Sequence, residues 1–354
     1  MATVSIVDVA REAGLSVGTV SRAIRGLPNV RPAKVAAVKA AIAHLGYQIP
    51  PADRRPGPRG PRQHKKTTGS VCVIFVHQSL KWIMNCAPVY AAVLHGIEIT
   101  LAARGLTLTL HQGADWSHQT ANSRAERPDG LILFGSPPSR EITRGLPKIP
   151  TVCTMGSPRY VRCDHVCVDH HRLGQLAAEY FLAHGHRHCA YVGTGVDYLD
   201  NIIKARGAMF KGLIEEAGGT VALLTDPAIE SSNADTQWIN EARLAKLLDG
   251  FVKLNPRPTA IMLQADMYAA SVYRQLAERG IRPQTDVAIV TCNNERPFLN
   301  GLYPPPVVID LRSEIIGRRI VEQLLWRMVN PNDPPIRIMV EPILLEPDWP
   351  TPIA

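Results

Sequence analysis

Two short stretches concentrate the side chains that could bind or react. Residues 163–171 read Cys-Asp-His-Val-Cys-Val-Asp-His-His, and thiolate and imidazole are the usual ligands of zinc. Strand alternation through Val166, Cys167 and Val168 would send neighbouring side chains to opposite faces, which opposes a shared metal site. Gly193-Thr194-Gly195 lacks the third glycine of a dinucleotide fingerprint. His186 and His188 read as structural, and no nucleophile, acid–base pair or phosphate loop stands out. The second stretch is Asp8 to Arg25. Asp8–Ala13 suits a helix, Gly14 a tight turn with positive φ, and Ser16 an N-cap. Val17–Arg25 then forms a second helix with Val20 and Ile24 inward and Val17, Gly18 and Arg22 outward. Helix, glycine turn and helix form a unit whose second helix enters the major groove of DNA.

Three helices would have to hold that reading surface. The first begins at Ser5, with Asp8 three residues on as a short capping box, and places Val4, Val7, Ala10 and Ala13 on one face. The third starts at Pro32, runs through Val35, Val38, Ala41, Ile42 and Leu45, and stops at Gly46.

Charge supports a polyanion partner. Residues 1–70 hold 12 Lys/Arg against 3 Asp/Glu, leaving 27 against 28 in the rest, so the net charge of +8 resides in the N-terminal segment. A step of this kind suits a nucleic-acid module joined to a neutral body. The chain has 354 residues and 45% hydrophobic content, enough for one to three domains with a sizeable core. No apolar run approaches membrane-spanning length, and the start lacks the basic patch and apolar core of a secretory signal. Seven scattered cysteines do not form a disulfide framework and fit a reducing compartment. The expected location is the cytoplasm, with no membrane partner.

The head resembles the lac repressor/gal repressor (LacI/GalR) family. The residues that carry the likeness are Asp8-Val9-Ala10, Ala13-Gly14-Leu15-Ser16, Thr19-Val20-Ser21-Arg22 and Gly46-Tyr47. The resemblance implies that Val17, Gly18 and Arg22 face base edges and that Ser16, Thr19 and Ser21 face phosphates, with Asn29 a further DNA contact. Arg22 could pair bidentately with guanine, worth about 1–3 kcal/mol of discrimination. Gly18 has no side chain to read with, and Val17 offers only apolar contact.

Residues 50–66, PPADRRPGPRGPRQHKK, depart from the family. Members usually place a hinge helix here, with a leucine wedged in the minor groove. Pro56, Pro58 and Pro61 forbid a continuous helix, and no apolar wedge lies between Pro51 and Lys66. Two readings stay open. One is an extended, solvated linker. The other is a basic arm, in which Arg54, Arg55, Arg59 and Arg62 track a narrow A·T-rich minor groove.

From Ser70 onward strands and helices alternate. Val71–Val76, Leu106–His111, Asp129–Phe134, Pro150–Cys153 and His188–Gly193 read as strands, Val89–Arg104 and Arg172–Gly185 as helices. This implies an α/β body with parallel sheets covered on both faces, and more units than one doubly wound half holds. The resemblance continues through His95–Glu98, Pro128–Leu133, Val168-Asp169, Gly174, His184–Arg187 and Ala260–Asp266, and implies a periplasmic-binding-protein-like body of two doubly wound subdomains. The expected division is 1–49 head, 50–69 linker or arm, and 70–354 effector-binding and dimerisation domain. Its N-subdomain would take about 70–168 and 312–334, and its C-subdomain about 169–311 and 335–354.

An effector cleft lies between the halves of such a body. The run from Arg206 to Ala217 resembles the family helix whose arginine holds the ligand, and a guanidinium fork suits hydroxyls or carboxylate. Asn293 stands where many members carry aspartate; an amide both donates and accepts, whereas a carboxylate only accepts. Ala265 replaces an asparagine found in some members, and Asp266 beside it is a candidate effector contact. Tyr90 first, then Trp82 and Tyr198, could supply an aromatic face. The implied function is a homodimeric DNA-binding transcription regulator, repression being the commoner outcome, acting on a near-palindromic operator and tuned by a sugar-like effector. It needs no cofactor, no metal and no catalytic residue. The competing readings are an enzyme on the doubly wound body, acting on a sugar or nucleotide, and a solute-binding protein.

Overall fold

The computed structural model describes residues 4–26, 30–49, 68–76, 81, 83, 87–113, 128–135, 140–156, 158, 160–194, 204–226 and 241–347. The chain divides into two compact units, Met1–Lys66 and Thr67–Ala354.

The first unit carries helices α1 (Ile6–Glu12), α2 (Val17–Ile24) and α3 (Pro32–Leu45). Ser5 caps α1 and exchanges hydrogen bonds with Asp8, a reciprocal capping box. The Ser5 hydroxyl and the Ser5 backbone N–H both donate to Asp8, which holds its carboxyl below the usual carboxylate range. Gly14 takes φ +59° in the turn, and Gly46 ends α3 in the left-handed conformation. Val9, Ala10, Val20, Val38 and Ala41 form the core, with Ile6, Ala13 and Ile24 packed around it. This corrects the expected inner face of α1. Val7 is 50% exposed and Val9 fully buried, because two helical positions separate them by about 200° around the axis.

The second unit contains two six-stranded sheets. Five strands of the first come in sequence order: β1 (Ser70–Phe75), β2 (Thr107–Gln112), β3 (Gly130–Phe134), β4 (Thr151–Thr154) and β5 (Asp164–Val168). β6 (His188–Thr194), β7 (Thr220–Asp226), β8 (Ala260–Leu263), β9 (Ala288–Asn293) and β10 (Val307–Asp310) belong to the second. The last two strands, β11 (Arg337–Val340) and β12 (Ile343–Leu345), are shared between them. The spatial orders are β11-β5-β4-β3-β1-β2 and β12-β10-β9-β8-β6-β7. Every pairing in the first sheet is parallel, and in the second only β12 runs antiparallel. β3 and β5 are buried along their whole length, as strands covered on both faces must be.

β11 pairs with β5, from His165 opposite Arg337 to Val168 opposite Val340. Residues 337–340 therefore lie in the first sheet, which corrects the expected assignment of all of 335–354 to the second half. The chain accordingly crosses between sheets three times, at 168–170, 310–313 and 340–343.

The helices that matter below are α4 (Pro88–Ala102), α5 (Arg140–Gly145), α6 (His170–Ala183), α7 (Lys204–Glu216), α8 (Glu241–Lys253), α9 (Ala269–Glu278), α10 (Arg296–Leu299) and α11 (Ser313–Val329). α4 packs on α11, and α6 on α7. A buried ion pair ties α11 to the start of β5. Both Asp164 oxygens accept from the Arg327 guanidinium, at 2.6 and 2.9 Å, and Gln323 and the Ile336 N–H donate to the same carboxylate.

Candidate functional site

The exposed side of α2 gathers six of the expected DNA contacts. Ser16, Val17, Gly18 and Arg22 are exposed, while Thr19 and Ser21 are half-buried. Ser16 caps the helix at the Thr19 N–H, and the two hydroxyls lie 2.9 Å apart. Arg25 donates to the Ser21 hydroxyl at 2.7 Å. Arg22 Nε donates to the Gly18 carbonyl at 3.1 Å, which braces the side chain along the helix. A Cβ at position 18 would meet no other described atom within 4 Å, so packing there does not demand glycine. Asn29, Arg55, Arg59 and Arg62 lie outside the described residues, as do Tyr198 and Trp82.

In the body, the polar residues collect where strands of the second sheet end. Gln264 and Asp266 follow β8, Asn293 closes β9 and Asp310 closes β10. Ligand clefts of open α/β sheets form at this end of the strands. Arg206, in the first turn of α7, is 4% exposed. Its Nε donates to His170 Nδ1 at 2.9 Å and its Nη1 to the Gln264 carbonyl at 2.7 Å. Gly174 allows this placement. A Cβ there would collide with the Arg206 carbonyl oxygen, so the glycine lets α6 lie directly on the turn that carries the guanidinium. Burial and the nearby Arg206 charge hold His170 well below the usual histidine range, so it accepts at Nδ1 as a neutral ring.

Asp266 is fully buried. Its oxygens accept from the Thr291 hydroxyl at 2.8 Å and the Glu295 N–H at 2.6 Å. Burial pushes its pKa up to about 7. Asp266, expected as an effector contact, presents no surface here and anchors the turn after β9. Asn293 is the part of that turn that reaches the cleft. It takes φ +116°, followed by Asn294 at +63°. Its Nδ2 donates to Glu295 at 2.9 Å, while its buried Oδ1 has no partner among the described residues.

The opposite wall comes from α4. The Tyr90 ring packs edge-on against Phe134 at 5.5 Å, and Phe134 against Phe75 at 5.4 Å. Burial, and then the Glu295 carboxylate, push the Tyr90 phenol up to about 12, against the pull of Arg206. The Tyr90 hydroxyl thus lies within electrostatic reach of Glu295 and Arg206. A cavity of about 420 Å³ opens between Pro88, Val89 and Ala92 on one side and Asn293–Arg296 on the other, floored by the crossings at Asp310–Ser313 and Ile343.

Three members of this site were missed from sequence. His170 and Gln264 act through a ring nitrogen and a backbone carbonyl, neither of which carries a pattern. Glu295 had a signal in its place two residues after Asn293. The 163–171 stretch resolves into strand β5 and its flanks, where His165 and Cys167 are buried among apolar residues. Among the described residues, no group of three His, Cys, Asp or Glu side chains could hold a metal, and no helix is long and apolar enough to cross a membrane.

Comparison with known proteins agrees with both halves of this description. Residues 5–49 match the family described as bacterial regulatory proteins, lacI family, and residues 178–346 match the periplasmic binding protein-like domain. The transcriptional regulator CelR of Thermobifida fusca is 26% identical over 345 residues, 95% of each chain. The ribose operon repressor of Escherichia coli K12 is 25% identical over 347 residues, 96% of this chain and 97% of that one. Among solved structures, a CelR–cellobiose complex superposes with a TM-score of 0.63 at 24% identity, covering 97% of this chain and 98% of that one. The lac repressor dimer bound to operator and an anti-inducer gives 0.61 at 19%, covering 98% of each. The fold is thus that of a helix-turn-helix head joined to a periplasmic-binding-protein-like body, and the chain belongs to the lacI family of DNA-binding transcription regulators.

Proposed function

We propose that this regulator is a homodimeric repressor of a near-palindromic operator, relieved or reinforced by a sugar-like effector held between the two halves of its body. The observation that carries the reading is that Asn293 and Glu295 line, with Val89 of α4, a cavity at the interdomain crossings, and that Tyr90 and Arg206 lie within electrostatic reach of Glu295 behind it. An aromatic ring, a guanidinium and an amide that donates and accepts suit a polyhydroxylated ligand. The relatives are named for sugars, a cellobiose complex and a ribose operon. Each head reads one half-site through Val17, Gly18 and Arg22, with Ser16, Thr19, Ser21 and Asn29 on phosphates, as the two-fold symmetry of a dimer requires. Residues 55, 59 and 62 supply a basic arm or a plain linker. An effector changes operator affinity only through unequal affinity for two states of the body.

The test is a thermal-shift screen of mono- and disaccharides, sugar acids and sugar phosphates on the full chain, repeated on R206A. Specific binding raises the melting temperature by mass action and is lost in R206A. Binding that persists in R206A places the effector elsewhere. In parallel, DNA mobility shift at two salt concentrations should show affinity falling steeply with salt. No shift at low salt would reject DNA reading.

A further inference from the structure

Helix α4 begins without a cap of its own. Its N-cap residue is Ala87, its first residue is Pro88, and among the described residues of its own segment no side chain caps the first turn. The Val89 N–H is therefore one of the donors a helix start leaves unmatched. It is met from the other half of the body: Glu295 Oε1 accepts it at 3.0 Å. Glu295 is 5% exposed, and it is held on every side. Its Oε2 accepts from Asn293 Nδ2, and its backbone N–H donates to the buried Asp266. The turn that delivers it contains two consecutive non-glycine residues at positive φ, Asn293 and Asn294. Such backbone costs free energy and persists only where the surroundings impose it. Asp266 imposes it through the Glu295 N–H, and Asp310 through Asn294 Nδ2 at 3.1 Å.

We propose that Glu295 is an internal clasp that closes the body without any effector, by capping α4 of the first half from the β9 turn of the second. The three crossings allow the halves to hinge. The clasp sets where that equilibrium rests before a ligand arrives. Its regulatory meaning rests on the reading of the cleft as an effector site. A ligand entering beside Asn293 meets a carboxylate already bridging the walls, and its leverage on the closed state is reduced by what the clasp has supplied. Residue 295 then tunes how strongly the regulator responds, apart from which ligand it recognises.

The test needs no ligand. Amide hydrogen exchange is followed in the full-length protein, wild type against E295A, E295D and E295Q. In E295A, peptides covering Val89 and Asn293–Glu295 should exchange about tenfold faster, the loss of one buried hydrogen bond. E295D keeps the charge but is one methylene short, so it should behave like E295A. E295Q keeps a carbonyl acceptor at full length for the Val89 N–H, and the Asn293 amide can turn its unpartnered Oδ1 to the new NH2, so this variant should stay near wild type. Peptides of α8 and α9 should be unchanged in all four. Wild-type protection at Val89 in E295A overturns the clasp. So does equal exchange in E295D and E295Q, a comparison that stands even if E295A folds poorly. A sugar screen without hits would count against the effector reading and leave this result untouched.

Discussion

Arg206 Nε donates to His170 Nδ1 at 2.9 Å and its Nη1 to the Gln264 carbonyl at 2.7 Å, so an almost fully buried guanidinium rests on two uncharged acceptors. No described carboxylate lies within ion-pair distance of it. Its charge is balanced at longer range by Asp266 and Glu295, both of which it pulls downward against their burial. An arginine held this way keeps its fork oriented and its charge available to what enters the cleft.

Replacing His170 tests that arrangement. H170F should leave a buried guanidinium N–H without an acceptor and lower stability by about 1–3 kcal/mol. H170Q, which can still accept, should recover most of the loss. Urea denaturation of the two variants against wild type measures the difference.

Asp266 predicts a pH dependence. Its pKa of about 7 in the folded chain lies above its ordinary value of 3.8, so the folded state binds more protons between those values. Its contribution is full below about pH 4 and is lost as pH rises through 7, with a slope of up to about 1.4 kcal/mol per pH unit. Stability measured from pH 4 to 8 should therefore fall less steeply in D266N than in wild type. Parallel curves would show that Asp266 titrates normally.

The Asp164–Arg327 pair predicts an asymmetry. Burial would raise the Asp164 carboxyl, but the hydrogen bonds from Arg327, Gln323 and the Ile336 N–H outweigh it and hold the pKa below the usual range. The stability it confers is present above the ordinary carboxylate pKa and is lost as pH falls through the lowered one. R327M alone should cost about 3–5 kcal/mol by leaving a buried carboxylate unpaired, and D164L/R327M should recover much of it. Thermal or urea unfolding distinguishes the two.

Gly174 offers a test of the link between packing and site. G174A drives a methyl into the Arg206 carbonyl and should cost about 1–3 kcal/mol by forcing α6 and α7 apart. It should also weaken binding of any sugar found in the screen, by moving the guanidinium. Undiminished affinity in a destabilised G174A would separate helix packing from ligand contact.

In the head, R22A should lower discrimination between operator and mismatched DNA by about 1–3 kcal/mol, whereas a phosphate-contact change such as T19A should weaken both alike. Competition binding on the selected operator resolves the two patterns.

Much of this protein is written locally. The capping box of Ser5 and Asp8, the Gly14 turn, the Ser16 cap and the alternation of strands with helices each depend on a few adjacent residues, and such signals survive without knowledge of the fold. Arg206 and Asn293 were legible because they sit inside runs whose pattern extends over many positions. Tertiary structure decided what joins distant parts. Val7 and Val9 differ only in which side of α1 meets α3. β11 entered the first sheet because β5 offered a free parallel edge, which no pattern in residues 337–340 announces. Asp266 withdrew into the wall because Thr291 and the Glu295 N–H use both its oxygens. The partnership of Glu295 with Val89 spans 206 positions of sequence. It arises because three crossings bring an uncapped helix start and a buried carboxylate to the same place, and proximity of that kind is a property of the folded chain alone.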